Sequence, residues 1–283
     1  MVCTLLVAQD AVAPAARADA SSINNNDENS VNTAYGTALK NYLDVPAGWT
    51  GSTQSCAAGA PSAATQTATL SAINFVRSLS GLDDVSLDAT LSARAQQAAL
   101  MMAANNTLNH TPPTSWKCYS DTGAAAAGMS NLAMSWPAIT GAGAISQYMA
   151  DGGSNNLAAG HRRWILNPTT TTMGSGTTAT TNALQVFGAR TNSAATAPQW
   201  IPWPSAGYFP GDLEPAGRWS LSASSAKTTF AAASVTVRNA SGTALPVTVH
   251  PTALGYGPNT LVWDVTGLAV PTSAAPATYT VTV

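Results

Sequence analysis

The hydrophobic period of this chain changes near residue 200, and that change limits what the chain can fold into. Before it, apolar residues recur at helical steps. Leu70, Ile73, Val76 and Leu79 repeat every third residue with Phe75 beside them, and Gly81 stands where a helix C-terminal cap would. Asp88 is placed to cap a second helix whose apolar face carries Leu91, Ala95, Ala98 and Met102, and which runs out at Asn105-Asn106. A third helix is expected from Pro137 through Ile145, Tyr148 and Met149 to Asp151-Gly152-Gly153. Ala183 to Gly188 reads as a strand. After the proline- and glycine-rich stretch Trp200 to Pro215 the period becomes two. Trp219-Ser220-Leu221, Val235-Thr236-Val237, Val247-Thr248-Val249, Leu261-Val262-Trp263 and Tyr279-Thr280-Val281 read as five short strands. Turn residues such as Ser241-Gly242 and Gly255-Tyr256-Gly257-Pro258 separate them. The fold class is therefore α+β, with a small C-terminal all-β sandwich. That sandwich is too short for a seven-strand immunoglobulin domain, so it is expected to lean on its neighbour.

Five segments follow from this reading: residues 1–20 as a truncated export signal, 21–61 as a flexible polar segment, 62–197 as the main domain, 198–217 as a linker and 218–283 as the β-sandwich. Leu5-Leu6-Val7-Ala8 and the alanines that follow resemble the later part of a signal peptide, and Ala18-Asp19-Ala20 fits a small-x-small cleavage site. The basic start of such a signal is missing, and a disordered alanine-rich tail is the plainer alternative. Asn24-Asn25-Asn26-Asp27-Glu28-Asn29 can bury little and is expected to be mobile, with a short helix around Tyr35, Leu39, Tyr42 and Leu43. The net charge is −2 and only 8% of residues are charged, which gives no electrostatic basis for a nucleic-acid partner. No apolar run is long enough to span a membrane.

Cysteine usage points the same way as the leader. Cys3 would leave with the signal, and Cys56 and Cys118 would remain. Two cysteines in an exported chain usually pair, which makes a secreted, extracellular location the expectation; two buried free thiols are the alternative. Closing the loop of about 60 residues between them would stabilise by about 4 kcal/mol.

Only three histidines occur, and two stand in marked contexts. His110 lies in Leu108-Asn109-His110-Thr111-Pro112. His161 lies in Gly160-His161-Arg162-Arg163-Trp164-Ile165-Leu166-Asn167-Pro168, before Met173-Gly174-Ser175-Gly176. Two neutral imidazoles and a carboxylate make a credible Zn²⁺ site with water in the fourth position. The plainer reading has His110 bonding backbone before Pro112-Pro113 and His161 satisfied at a helix end. Gly174 and Gly176 are expected to permit a turn into a strand, since a phosphate loop would need Gly-Lys-Ser/Thr. Arg162 and Arg163 should pair with carboxylates or carbonyls. Trp116 and Tyr119 should pack over the Cys118 bridge, and His250 should be a surface residue at a strand end.

The ordered set is Asn109-His110-Thr111, Ser130-Asn131-Leu132, Tyr148-Met149-Ala150-Asp151, Gly160-His161-Arg162 and a Gly-x-Gly. It resembles the CAP superfamily of cysteine-rich secretory proteins, antigen 5 and pathogenesis-related 1 proteins, and most of all its bacterial secreted branch. The resemblance implies an α-β-α sandwich with a cleft lined by two histidines and two acidic residues. His110 and His161 match the histidines, and Asp151 matches one acid. Ser130 stands where the family's Gly-Glu-Asn-Leu motif has glutamate, so the implied cleft set is His110, Ser130, Asn131, Asp151 and His161. Its metal ligands would be His110, His161 and Asp151, with Zn as the possible cofactor. Losing the glutamate removes charge and the obvious general base.

The expected function is a secreted binding protein whose cleft takes a divalent cation or a small amphipathic, lipid-like ligand, without catalysis. One alternative is an extracellular metal-dependent hydrolase using the same cleft. Another is a cell-wall or matrix adhesive protein with a relic cleft. Neither His-Glu-x-x-His nor Gly-x-Ser-x-Gly occurs.

Overall fold

The fold was obtained as a computed structural model, and it describes residues 2–7, 23–190, 197–269 and 276–283. In chain order its first elements are β1 (Val2–Val7), α1 (Glu28–Ala38), α2 (Ala63–Leu79), β2 (Ser86–Leu87) and α3 (Ala89–Asn105). Next come α4 (Asp121–Ala127), β3 (Ser130–Met134), α5 (Gly141–Ala150), α6 (Gly160–Ile165), β4 (Thr172–Thr177) and β5 (Thr181–Gln185). The remainder is all β: β6 (Trp200–Trp203), β7 (Gly207–Pro210), β8 (Arg218–Ala223), β9 (Thr236–Asn239), β10 (Ala244–Leu245), β11 (Val247–Val249), β12 (Thr260–Val265) and β13 (Thr278–Thr282).

The first unit is an α-β-α sandwich around a sheet of order β2-β4-β5-β3. Successive strand residues face opposite sides, so each strand feeds two cores. In β5, Leu184 joins Ile73, Val76, Ile145 and Met149 under α2 and α5. Its neighbour Ala183 joins Ala95, Ala98, Met102 and Ala127 under α3 and α4. Capping starts the helices where expected. Asp88 Oδ1 accepts from the Leu91 N–H at α3, and Ser62 Oγ accepts from the Thr65 N–H at α2. Helix α5 begins at Gly141 rather than Pro137, with Thr140 as its cap. Gly174 and Gly176 do not make a turn. Both lie inside β4, and a methyl group at either would overlap the α3 backbone at Leu91 and Gln96. The glycines let helix and strand approach closely.

The polar N-terminal segment is also corrected, from Ile23 onward. Asn25 Nδ2 donates to the Leu79 carbonyl, Asp27 caps α1, and Val31, Tyr35 and Leu39 are buried. Its asparagines serve as turn and cap partners, a use that composition does not disclose. Strand β1 falls within the stretch expected as an export signal, and its backbone pairs with β13 and β7. Residues 8–20 of that stretch lie outside the described residues.

The second unit packs sheet β10-β9-β13-β1-β7 against sheet β11-β12-β8-β6. Trp219, Leu221, Val237, Leu261, Trp263, Tyr279 and Val281 fill its core. Residues 198–217 are more than the expected linker. They contribute β6 and β7, whose Ile201, Trp203 and Phe209 are buried in the core of the first unit. Proline tolerates such positions where its missing N–H is not needed by a neighbour. The Cys56–Cys118 disulfide is present, with Cα atoms 5.0 Å apart. Trp116 and Tyr119 pack on the α3–α4 core beside it. Among the described residues, no helix is long and apolar enough to cross a membrane.

Candidate functional site

A cavity of about 600 Å³ opens where β3, α6, the loop after α3 and a loop of the second unit converge. His110 and His161 both line it, as do Ser130 and Asn131.

Each imidazole is held through Nδ1. His110 Nδ1 lies 2.9 Å from the Ala127 carbonyl, at the end of α4. A carbonyl only accepts, so Nδ1 carries the proton and Nε2 is the ring's remaining nitrogen. His161 Nδ1 lies 2.7 Å from Asp151 Oδ1, which imposes the same arrangement. Asp151 is the left-handed C-cap of α5, at φ 49° and ψ 40°. Its other oxygen accepts from the Arg162 N–H at 3.1 Å, at the start of α6, where Ala159 offers no side-chain cap. One carboxyl thus ends one helix, caps the next and aims an imidazole. The Tyr148 ring lies 5.5 Å from the His161 ring, and its hydroxyl is 3.0 Å from the Asn131 carbonyl. Asn131 Nδ2 donates to the His161 carbonyl at 3.0 Å. Ser130 Oγ donates back to the Ala126 carbonyl at 2.7 Å.

The expected metal set is not assembled as three ligands. The Asp151 side chain is fully buried, with one oxygen on His161 and the other on the Arg162 amide, and it does not line the cavity. Among the described residues, no group of three or more His, Cys, Asp or Glu could hold an ion. Two imidazoles fall short of the three protein ligands of a catalytic Zn²⁺ site, so the donor set does not fit a resident zinc. Asp151 instead resembles the carboxylate that orients a ligating or basic histidine.

Sequence reasoning missed the aromatic part of the lining. Trp164 and Phe187 line the cavity with ring centroids 4.5 Å apart. The Arg190 guanidinium sits 5.5 Å from the Trp164 centroid and 5.4 Å from that of Phe187. Tyr256 comes from the second unit, on the loop between β11 and β12. Its ring packs so closely on Gly160 that a Cβ there would meet Cδ1 at 2.6 Å. Gly255 and Gly257 flank it at φ +88° and +85°. A large aromatic between two glycines is the signal in the sequence, and it marks a cleft residue as well as a turn.

The two arginines after His161 bond carbonyls and join the units. Arg162 donates to the Met149, Ala150 and Arg218 carbonyls and to Ser220 Oγ. Burial lowers its pKa to about 10 against the pull of Asp151, so it stays charged at neutral pH. Arg163 donates to the Ala253 carbonyl at 3.0 Å and the Pro258 carbonyl at 2.8 Å, so it grips both ends of the Tyr256 loop. Its guanidinium also lies 5.5 Å from the Tyr256 centroid. His250, at the foot of this loop, is only 11% exposed and not the surface residue expected. Its Nε2 sits 2.9 Å from Asp264 Oδ2, at an angle that makes a charge contact rather than an aligned hydrogen bond.

The fold and site together define a three-layer α-β-α domain with two oriented imidazoles on one wall of an open cleft. Residues 70–187 match the family described as CAP, the cysteine-rich secretory protein family. The match covers the first unit, which carries both cleft histidines, and stops short of the β-sandwich. No curated protein matches the chain.

Proposed function

We propose that this chain is an exported CAP-domain protein that binds a small amphipathic ligand in the cleft lined by its two histidines and its aromatic residues, without turning it over. The observation that carries this reading is the pairing of two Nδ1-anchored imidazoles with Trp164, Phe187 and Tyr256 around one cavity. Such a cleft offers both hydrogen-bonding groups and apolar faces, the usual make-up of a small-molecule site. The disulfide supports an oxidising, extracellular setting. A divalent cation is the weaker candidate, because only two ligands converge.

The His161–Asp151 pair favours a second reading, a hydrolase with His161 as general base. In that reading the nucleophile would be a water activated by His161, since the Ser130 hydroxyl is spent on Ala126. One experiment separates the two. N-phenyl-1-naphthylamine, a neutral amphipathic fluorophore, is titrated into the full chain with and without chelator. Expected is saturable binding that is indifferent to chelator and weakened roughly tenfold by Trp164→Ala, about one aromatic contact. Absence of saturable binding, or hydrolysis of an ester probe that His161→Ala abolishes, would overturn the reading.

A further inference from the structure

Resting on the cleft reading above, we propose that the natural occupant is a neutral oligosaccharide. Three observations lead there. First, among the described residues no lysine, arginine, aspartate or glutamate lines the cavity. A charged ligand entering it would lose hydration without meeting an opposite charge on the wall. The nearest charges are already engaged: Asp151 by His161 and Arg162, Arg163 by the loop carbonyls, and Arg190 by the Trp164 and Phe187 rings.

Second, the polar lining is made of amides and imidazoles that hold unspent hydrogen-bonding capacity. Asn109 Oδ1 accepts from the Thr111 N–H, which leaves its amide nitrogen free to donate. Asn155 is exposed, and no protein partner of its amide nitrogen occurs among the described residues. With the two imidazole Nε2 atoms, these give donors and acceptors suited to hydroxyl groups, which both give and take hydrogen bonds. A purely apolar lipid chain would leave them unpaired, at a cost for each.

Third, Phe187 and Tyr256 are each 41% exposed at the cleft, large rings kept open to solvent rather than closed into a core. Each has an arginine over its ring. A sugar ring presents an apolar C–H face, and the negative face of an aromatic ring attracts it. Its hydroxyl edge then reaches the amides. Tyr256 belongs to the second unit, so the β-sandwich supplies a specificity residue.

The test uses calorimetry and fluorophore displacement on the full disulfide-bonded chain. The probes are chitotetraose and cellotetraose, which are neutral, a cationic deacetylated chitosan tetramer, an anionic tetragalacturonate and a blocked neutral tetra-alanine. Expected is that a neutral tetraose binds and displaces the fluorophore. Tyr256→Ala and Asn155→Leu should each weaken it roughly tenfold, the scale of one stacked ring or one site hydrogen bond. Tyr256→Phe should retain binding. The proposal falls if a charged oligomer or the peptide binds as well as the neutral sugars. It also falls if neutral sugars bind indifferently to both variants. Fluorophore binding with no displacement by either neutral tetraose sinks the sugar assignment and leaves the cleft reading standing. Failure of the fluorophore itself sinks the cleft reading.

Discussion

The α3–α4 side of the first unit and the β-sandwich solve packing in opposite ways. The α3–α4 side of the first unit is built from small and flexible residues: Ala95, Ala98, Ala99, Met101, Met102, Ala126 and Ala127. With Gly174 and Gly176 beneath α3, they allow backbone to approach backbone. The second unit relies on bulk, with Trp219, Trp263, Tyr279 and Phe230 spanning the gap between its sheets. The two sides of the cleft inherit this difference. Its histidine wall is fixed through helix ends and a buried carboxyl. Its tyrosine wall is a loop between glycines, gripped by one arginine. One wall should set geometry, and the other should adjust to the ligand.

The sharpest way to break this picture is at the seam. Trp203 is buried and its ring meets Phe209 edge-on at 4.8 Å, inside the core of the first unit. Trp203→Ala should cost about 3–5 kcal/mol. Calorimetry should show one cooperative transition moving as a whole; two separate transitions would mean that the units fold independently. Next in size is the disulfide. Cys56→Ser with Cys118→Ser should cost about 4 kcal/mol or less, by chemical denaturation. This loss should leave ligand affinity unchanged, because the bridge does not touch the cleft. Smaller again is Gly160→Val, which drives a side chain into the Tyr256 ring and should cost about 1–3 kcal/mol. Binding should fall more than stability here, and unchanged affinity would separate Tyr256 from the site.

The smallest effect expected is one of pH. Burial acts to raise the Asp264 carboxyl, but the contacts with Arg218 and His250 outweigh it and hold the group below its ordinary 3.8. Its stabilising contribution is therefore present above that value and is lost as pH falls below it. Asp264→Asn should reduce the melting temperature slightly at pH 7 and converge with the parent protein below pH 3.8. A difference persisting in acid would assign the effect to packing.

The sequence made the periodic parts legible. The strands around Trp219, Leu261 and Tyr279 and the capped α3 are local patterns, and their residues carry them openly. The histidine wall was legible because ordered motifs mark it. What Asp151 does was not. A carboxyl near two histidines suits a ligand as well as an orienting partner, and only the turn at the end of α5 decides between them. The roles of residues 198–217 were hidden because β7 pairs with the distant β1 and the apolar residues of β6 enter the core of the first unit. Tyr256 was missed for a similar reason, since the wall it completes lies some 95 positions earlier in the chain.

His161 and Arg162 are neighbours along α6, and they look in different directions. The first faces the cleft, and the second is locked onto β8 through the Arg218 carbonyl and Ser220. A sideways slip of the sandwich would therefore travel to the imidazole through a single peptide link. The C-terminal sandwich acts as a fixed datum for the histidine, and cutting it away would leave the ring aimed by its first-unit partners, Asp151, Asn131 and Tyr148.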